Sequence, residues 1–160
     1  MLSQYSSIAL SAVDQTIDAV LAAVHSRGRL QNLVSPLSLS FAFRNQEHIR
    51  ISCSSDGETI RIDEEVLNEF TLGEYGTIEA IDISTAPEFS KIVGNTINDI
   101  NFLISEIGDR FVGLSIIFSN GTAVFIANIG DDLRYFDAPP ETFMEEEKIR
   151  SVSVKNFDLL

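Results

Sequence analysis

Two stretches stand out along the chain, one of regular apolar–polar alternation and one of two apolar runs around an Asn-Gly turn. In the first, Leu37-Ser38-Leu39-Ser40-Phe41-Ala42-Phe43 puts Leu37, Leu39, Phe41 and Phe43 on one face. After Arg44-Asn45-Gln46-Glu47 the alternation resumes in His48-Ile49-Arg50-Ile51-Ser52-Cys53. A period of two is the signature of a half-buried strand, so this stretch predicts a β-hairpin. In the second, Leu114-Ser115-Ile116-Ile117-Phe118 runs into Ser119-Asn120-Gly121-Thr122, and Ala123-Val124-Phe125-Ile126-Ala127 leaves it. Asn-Gly accepts positive φ, as the tightest hairpin turns require.

The two hairpins correspond. Displaced by 75 positions, Leu39, Phe41 and Phe43 fall on Leu114, Ile116 and Phe118, Asn45 falls on Asn120, and Ile49 and Ile51 fall on Val124 and Ile126, without a gap. Upstream, Gln15-Thr16-Ile17-Asp18 resembles Asn95-Thr96-Ile97-Asn98 at a displacement of 80. Downstream, Ile60-Arg61-Ile62-Asp63 takes the place of Leu133-Arg134-Tyr135-Phe136. Each copy reads as a leading segment, a hairpin, an acidic glycine-bearing loop and a third strand, giving an internal pseudo-repeat over approximately 14–63 and 94–137. Two copies are too few for a solenoid, but they can pack on each other around a shared core. The expected fold is α+β and predominantly antiparallel β, with two related hairpin-centred halves packed as one domain over 1–160 and short helices added.

The leading segments read less clearly. Val13, Ile17, Val20, Leu21 and Val24 have helical spacing, and Ala19, Ala22 and Ala23 favour a helix. In the second copy Ile97, Ile100, Ile104 and Ile107 also have helical spacing, but Ile100, Phe102 and Ile104 fit a strand equally well, and a strand is expected over Thr96 to Ile104. Between the copies, Asp63-Glu64-Glu65-Val66-Leu67-Asn68-Glu69-Phe70 predicts a short helix with Val66, Leu67 and Phe70 facing inward and an acidic start that suits the helix dipole. Thr77 to Ile83 predicts a strand. Pro87 predicts the opening of a short helix through Phe89 and Ile92, with Gly94 ending it. After Pro139-Pro140 and an acidic run, Val152 and Val154 alternate.

Composition adds constraints. A chain of 160 residues with 44% apolar and 22% charged residues is an ordinary globular mixture that needs no disulfide to hold a core. The single cysteine, Cys53, suits a reducing cytoplasm and reads as a small core residue. The first thirteen residues carry no basic run, so no signal peptide is expected. The uncharged stretch Phe111 to Gly130 has a polar turn at its centre and reads as two strands rather than a membrane span.

The net charge of −13 is uneven: residues 1–54 carry +1, 55–109 carry −11 and 110–160 carry −3. Such a chain repels nucleic-acid phosphate and anionic membrane, which excludes both as expected partners. It attracts a basic protein surface and speeds that encounter. Plain solubility is the competing explanation of the acidity.

Motifs for chemistry are lacking. His25 and His48 have no metal-ligand spacing with each other or with Cys53, and there is neither a Gly-x-Ser-x-Gly elbow nor a phosphate-cradling glycine loop. The candidate groups in quantity are carboxylates: Asp131-Asp132 after Gly130, and Asp56-Gly57-Glu58 in the corresponding loop of the first copy. Their spacing does not match an EF-hand, and turn formation accounts for them. No catalytic residue, metal or cofactor is expected. Tyr75 and Tyr135 flank acidic loops and read either as exposed contact residues or as partly buried ones.

Gly94-Asn95-Thr96-Ile97, Phe118-Ser119-Asn120-Gly121 and Asn128-Ile129-Gly130-Asp131-Asp132 together resemble small bacterial proteins, among them immunity proteins of polymorphic or contact-dependent toxin systems. The resemblance covers roughly residues 94–137. It implies a non-enzymatic protein that neutralises a basic toxin domain by binding and occluding it. With the −11 segment, it places the expected partner-binding surface at Asp56, Glu58, Asp63, Glu64, Glu65, Glu69, Glu74 and Glu79. Two alternatives stand beside it. One is a small-molecule-binding or enzymatic β-domain with a pocket between the halves that contains Asp131 or Asp132. The other is a homo-oligomer joined through sheet edges, with the Leu114–Phe118 or Ala123–Ala127 strand exposed.

Overall fold

The computed structural model describes residues 2–28 and 30–159. Helix α1 (Leu2–Ala12) is followed by strands β1 (Ile17–Arg27), β2 (Leu30–Gln31), β3 (Ser38–Phe43), β4 (His48–Cys53), β5 (Ile60–Asp63), β6 (Phe70–Thr71) and β7 (Thr77–Asp82), with a 3₁₀ turn at Gly73–Tyr75. A short helix, α2 (Pro87–Ser90), leads to β8 (Ile97–Ser105), β9 (Arg110–Phe118), β10 (Ala123–Ile129) and β11 (Asp132–Phe136). Helix α3 (Glu141–Glu146), β12 (Ile149–Ser153) and a 3₁₀ segment at Val154–Leu159 complete the order. No helix among the described residues is long and apolar enough to cross a membrane.

All strand pairs are antiparallel, so the α+β, mainly antiparallel class holds. The first sheet has the order β5-β4-β3-β1-β7-β6, with β2 pairing the end of β1; the second has the order β11-β10-β9-β8-β12. Both predicted hairpins are present. Their strands do not lie at an edge: β9 sits between β8 and β10, and β10 between β9 and β11. The expected exposed edge at Leu114–Phe118 or Ala123–Ala127 is therefore corrected.

One apolar cluster draws on both sheets, with Val20, Leu39, Phe41, Ile49, Ile51 and Ile62 from the first and Ile100, Phe102, Leu114, Ile116, Val124 and Ile126 from the second. Phe89 of α2 joins them: it is fully buried, with its ring 6.0 Å from Phe41 and 5.0 Å from Tyr135. The sheets also touch where β1 and β8 begin. Thr16 and Thr96 form a bridge with their hydroxyls 3.0 Å apart. Around it, the Asp14 amide donates to the Ile97 carbonyl and the Gly94 amide to that of Ile17, both at 2.8 Å. The Ile17 amide donates to Asn95 at 3.0 Å and the Ile97 amide to Gln15 at 2.9 Å.

Two helix expectations are overturned. Residues 17–27 form β1, and the early helix lies instead at Leu2–Ala12. Register shifts between Ile17 and Ala19, and again between Ile97 and Asp99. Such a bulge adds one residue to a strand, so buried positions run Ile17, Val20, Ala22, Val24, and a spacing of three imitates a helical turn. The helix expected over Asp63–Phe70 is an irregular crossing at 64–69. Strands β5 and β6 lie at opposite edges of the first sheet, five strand spacings apart, or about 24 Å. A six-residue helix reaches only about 9 Å, whereas an extended chain of that length spans about 20 Å.

Candidate functional site

The eight acidic residues separate into two groups. Asp56 and Glu58 lie in the β4–β5 turn, Asp63 and Glu65 at the far end of that strand pair, and all four bond to the protein's own groups. Asp56 Oδ1 accepts from the Glu58 and Thr59 amides, each at 2.9 Å, and Oδ2 accepts from the Thr59 hydroxyl at 2.6 Å. The Thr59 hydroxyl and then these amides hold the Asp56 carboxyl below its ordinary range. Glu58 meets Arg110 at 2.9 Å, and Arg110 also reaches Glu147 at 3.4 Å. Arg50 grips Asp63 with two nitrogens, each at 2.8 Å, and reaches Glu65 at 2.5 Å. Arg61 meets Asp63 at 3.0 Å and Glu65 at 3.3 Å. Burial pushes the Asp63 carboxyl up, but the Arg50 bonds, the Glu65 amide and the two guanidinium charges outweigh it and leave it below the ordinary range.

Glu64, Glu69, Glu74 and Glu79 form the second group, on the crossing and the β6–β7 edge. Among the described residues these four make no ion pair. Glu69 accepts from the Ala80 amide at 3.4 Å, and Glu79 accepts from Ser26, Gln31 and Thr77 at 3.1–3.3 Å. Residues 64–82 contain six carboxylates and no lysine, arginine or histidine.

This second group adjoins exposed apolar side chains. Phe70 is 53% exposed and Tyr75 66%, and Leu72 is also exposed. Leu30, Val34 and Leu37, from the segment that carries β2 and leads into β3, are exposed as well. The inward orientation expected for Val66 and Phe70 is thus corrected: both are more than half exposed, because the crossing runs over the outside of the sheet. The turn that carries Glu74 and Tyr75 is pinned closely. A Cβ at Gly76 (φ 104°) would lie 2.1 Å from the Ser26 carbonyl, and the His25 Nε2 donates to the Tyr75 carbonyl at 2.6 Å. Sequence reasoning missed Leu30, Val34, Leu37, Phe70 and Leu72. For Leu30, Val34, Phe70 and Leu72 the available signal was position, apolar residues beside Gly28, Pro36 and Gly73 outside any alternating run, whereas Leu37 belongs to the apolar face expected of the first hairpin and its exposure corrects that expectation.

The alternative carboxylate site is a turn. Gly130 and Asp131 both have positive φ (62° and 68°) in a two-residue connection between the paired Ile129 and Asp132. Asp132 accepts from Ser35 at 3.1 Å. A cavity of about 470 Å³ lies between the β4–β5 corner and the second sheet, with Gly57, Glu58, Arg110, Asn128, Gly130 and Glu147 among its lining; neither Asp131 nor Asp132 lines it. Cys53 is half-buried, and burial, followed by the charges of Asp131, Asp132 and Asp56, pushes its thiol up to about 11. It is a protonated thiol at neutral pH, not a nucleophilic thiolate. No set of three or more His, Cys, Asp or Glu that could hold a metal converges among the described residues. Tyr135 is half-buried and donates to the Leu33 carbonyl at 2.9 Å, which makes it a packing residue, whereas Tyr75 is open to solvent.

Comparison with known proteins found no matching family model, no matching curated protein and no matching solved structure.

Proposed function

We propose that this chain is a non-enzymatic cytoplasmic binding protein that covers a basic protein partner, in the manner of the immunity proteins it resembles. The observation that carries this reading is the 64–82 segment: six carboxylates without a basic side chain, interleaved with exposed Phe70, Leu72 and Tyr75. Aromatic anchors within a charged rim are the usual make-up of a protein-binding surface. The contact surface is weighted toward Glu64, Glu69 and Glu74, because Glu58, Asp63 and Glu65 already face the protein's own arginines, Asp56 is held by Thr59, and Glu79 is held by Ser26, Gln31 and Thr77. The test is capture of a basic protein from the native cell at low and high salt, followed by association kinetics with the charge-reversed variant Glu64→Lys/Glu69→Lys/Glu74→Lys. Association should slow by about tenfold or more and lose much of its salt dependence. Unchanged kinetics would remove the assignment.

The same proposal includes the origin of the frame as two related halves. Three features support it. The strand paths β1-β3-β4-β5 and β8-β9-β10-β11 are adjacent-strand meanders in both sheets. The hydrogen bonds around Thr16 and Thr96 are reciprocal. Residues 11–20 and 91–100 also run through the same order of exposed, half-buried and buried positions.

A further inference from the structure

The crossing at 64–69 passes over the outer face of the first sheet and leaves a cavity of about 210 Å³. Leu37, Leu67, Phe70 and Ile78 form its apolar walls, and Ala23 and Ser52 lie in its floor. Pockets for drug-sized ligands run to roughly 300–1,000 Å³, so this one has room for a single side chain. Phe70 and Leu37 stand half-exposed at its rim. Arg50 also lines it, but its guanidinium is already taken up by Asp63 and Glu65 and offers little repulsion to a cation. Glu69 sits on the crossing beside Phe70, whereas Glu79 lies opposite the core residue Val24 and bonds to Ser26 on the other face of the sheet from Ile78.

We propose that this groove is the anchor point of the binding surface, taking one apolar side chain from a lysine- or arginine-bearing segment of the partner. The inference rests on the basic-partner reading above and adds where, and by what, that partner is held. Charge selects the occupant. A second copy of this chain brings another net −13 and is repelled, whereas a segment alternating apolar and basic residues fills the cavity and brings its cations to the crossing that carries Glu64 and Glu69.

The experiment titrates the isotope-labelled full chain with a short peptide of alternating leucine and lysine, and separately with one of alternating serine and lysine, following backbone amides by NMR at low and raised salt. The expected result is that both bind at low salt, and that the leucine peptide binds about tenfold tighter and shifts the amides of Ala23, Ser52 and Ile78. Phe70→Ala should erase that advantage. If Phe70→Ala loses its folded spectrum, Leu37→Ala, also at the rim, makes the same comparison. Equal affinities, or shifts confined to residues away from the groove, overturn the anchor while leaving the acidic-surface reading in place. Failure of both peptides to bind at low salt removes both.

Discussion

Asp63 shows how one residue can look like a binding group and serve the fold. It holds Arg50 through two bonds and Arg61 through a third, with only 14% of its side chain exposed. Asp63→Asn leaves Arg50, itself 17% exposed, with Glu65 as its remaining carboxylate. The expected loss is about 2 kcal/mol, below the 3–5 kcal/mol of a fully buried pair because this cluster touches water. The sign with pH follows from the depressed carboxyl: its contribution is complete above the unfolded-state value of about 4 and is lost as pH falls through the lower folded value. Urea unfolding across acidic pH should therefore show a shallower acid decline in Asp63→Asn than in the parent. Cys53 is expected to label slowly with iodoacetamide at neutral pH, with the rate still rising above pH 9 because its thiol titrates near 11; a plateau at pH 9 would contradict that environment. The acidity of all eight candidate residues was legible in the sequence, but their pairing was not. Glu58 finds Arg110, which belongs to the other sheet, and that proximity exists only after folding.

At the scale of elements, strands with an uninterrupted period of two were legible and strands with an inserted residue were not. β3 and β4 follow their alternation, and β9 and β10 follow from apolar runs on either side of Asn120-Gly121, whereas the bulge near Asp18 gives β1 the spacing of a helix. The hairpin turns carry a finer correction. Asn120-Gly121 is not a two-residue turn with both φ values positive: positive φ occurs at Gly121 (85°), and in the earlier hairpin at Gln46 (72°). The asparagines act instead through their side chains. Asn45 Oδ1 accepts from the Glu47 amide at 3.0 Å, and Asn120 Oδ1 accepts from the Thr122 amide at 3.1 Å. The same job at matching positions leads to a paired expectation: Asn45→Ala and Asn120→Ala should each cost about 1 kcal/mol in urea unfolding, with Asn120 the larger because it also accepts from the Thr122 hydroxyl at 2.6 Å. The tight connection with two positive φ values belongs to Gly130-Asp131, where the sequence reading already favours turn formation over carboxylate chemistry.

For the whole molecule, sheet order decides what the sequence could not reveal. Exposure of Leu30, Leu37 and Phe70 depends on which strands lie at the edges and on where the 64–69 segment crosses, and neither is local information. The two displacements, 80 upstream and 75 downstream, do have a structural counterpart. Ile17 pairs with Phe43 and Ile97 with Phe118; the first pair encloses five more residues, and the excursion through β2 is where the first sheet carries extra chain. On the proposed relation of the halves, Thr16 and Thr96 are equivalent residues that meet where the halves join, and their hydroxyls bond to each other. Thr16→Val or Thr96→Val alone leaves the other hydroxyl without that partner in a half-buried site, whereas the double replacement removes both polar groups together. Each single variant should lose about 1 kcal/mol. The double variant should lose less than the sum, with a coupling of about 1 kcal/mol in a double-mutant cycle by urea unfolding. Strict additivity would mean that water satisfies each hydroxyl separately, and that the clamp between the halves lies in the four reciprocal backbone bonds alone.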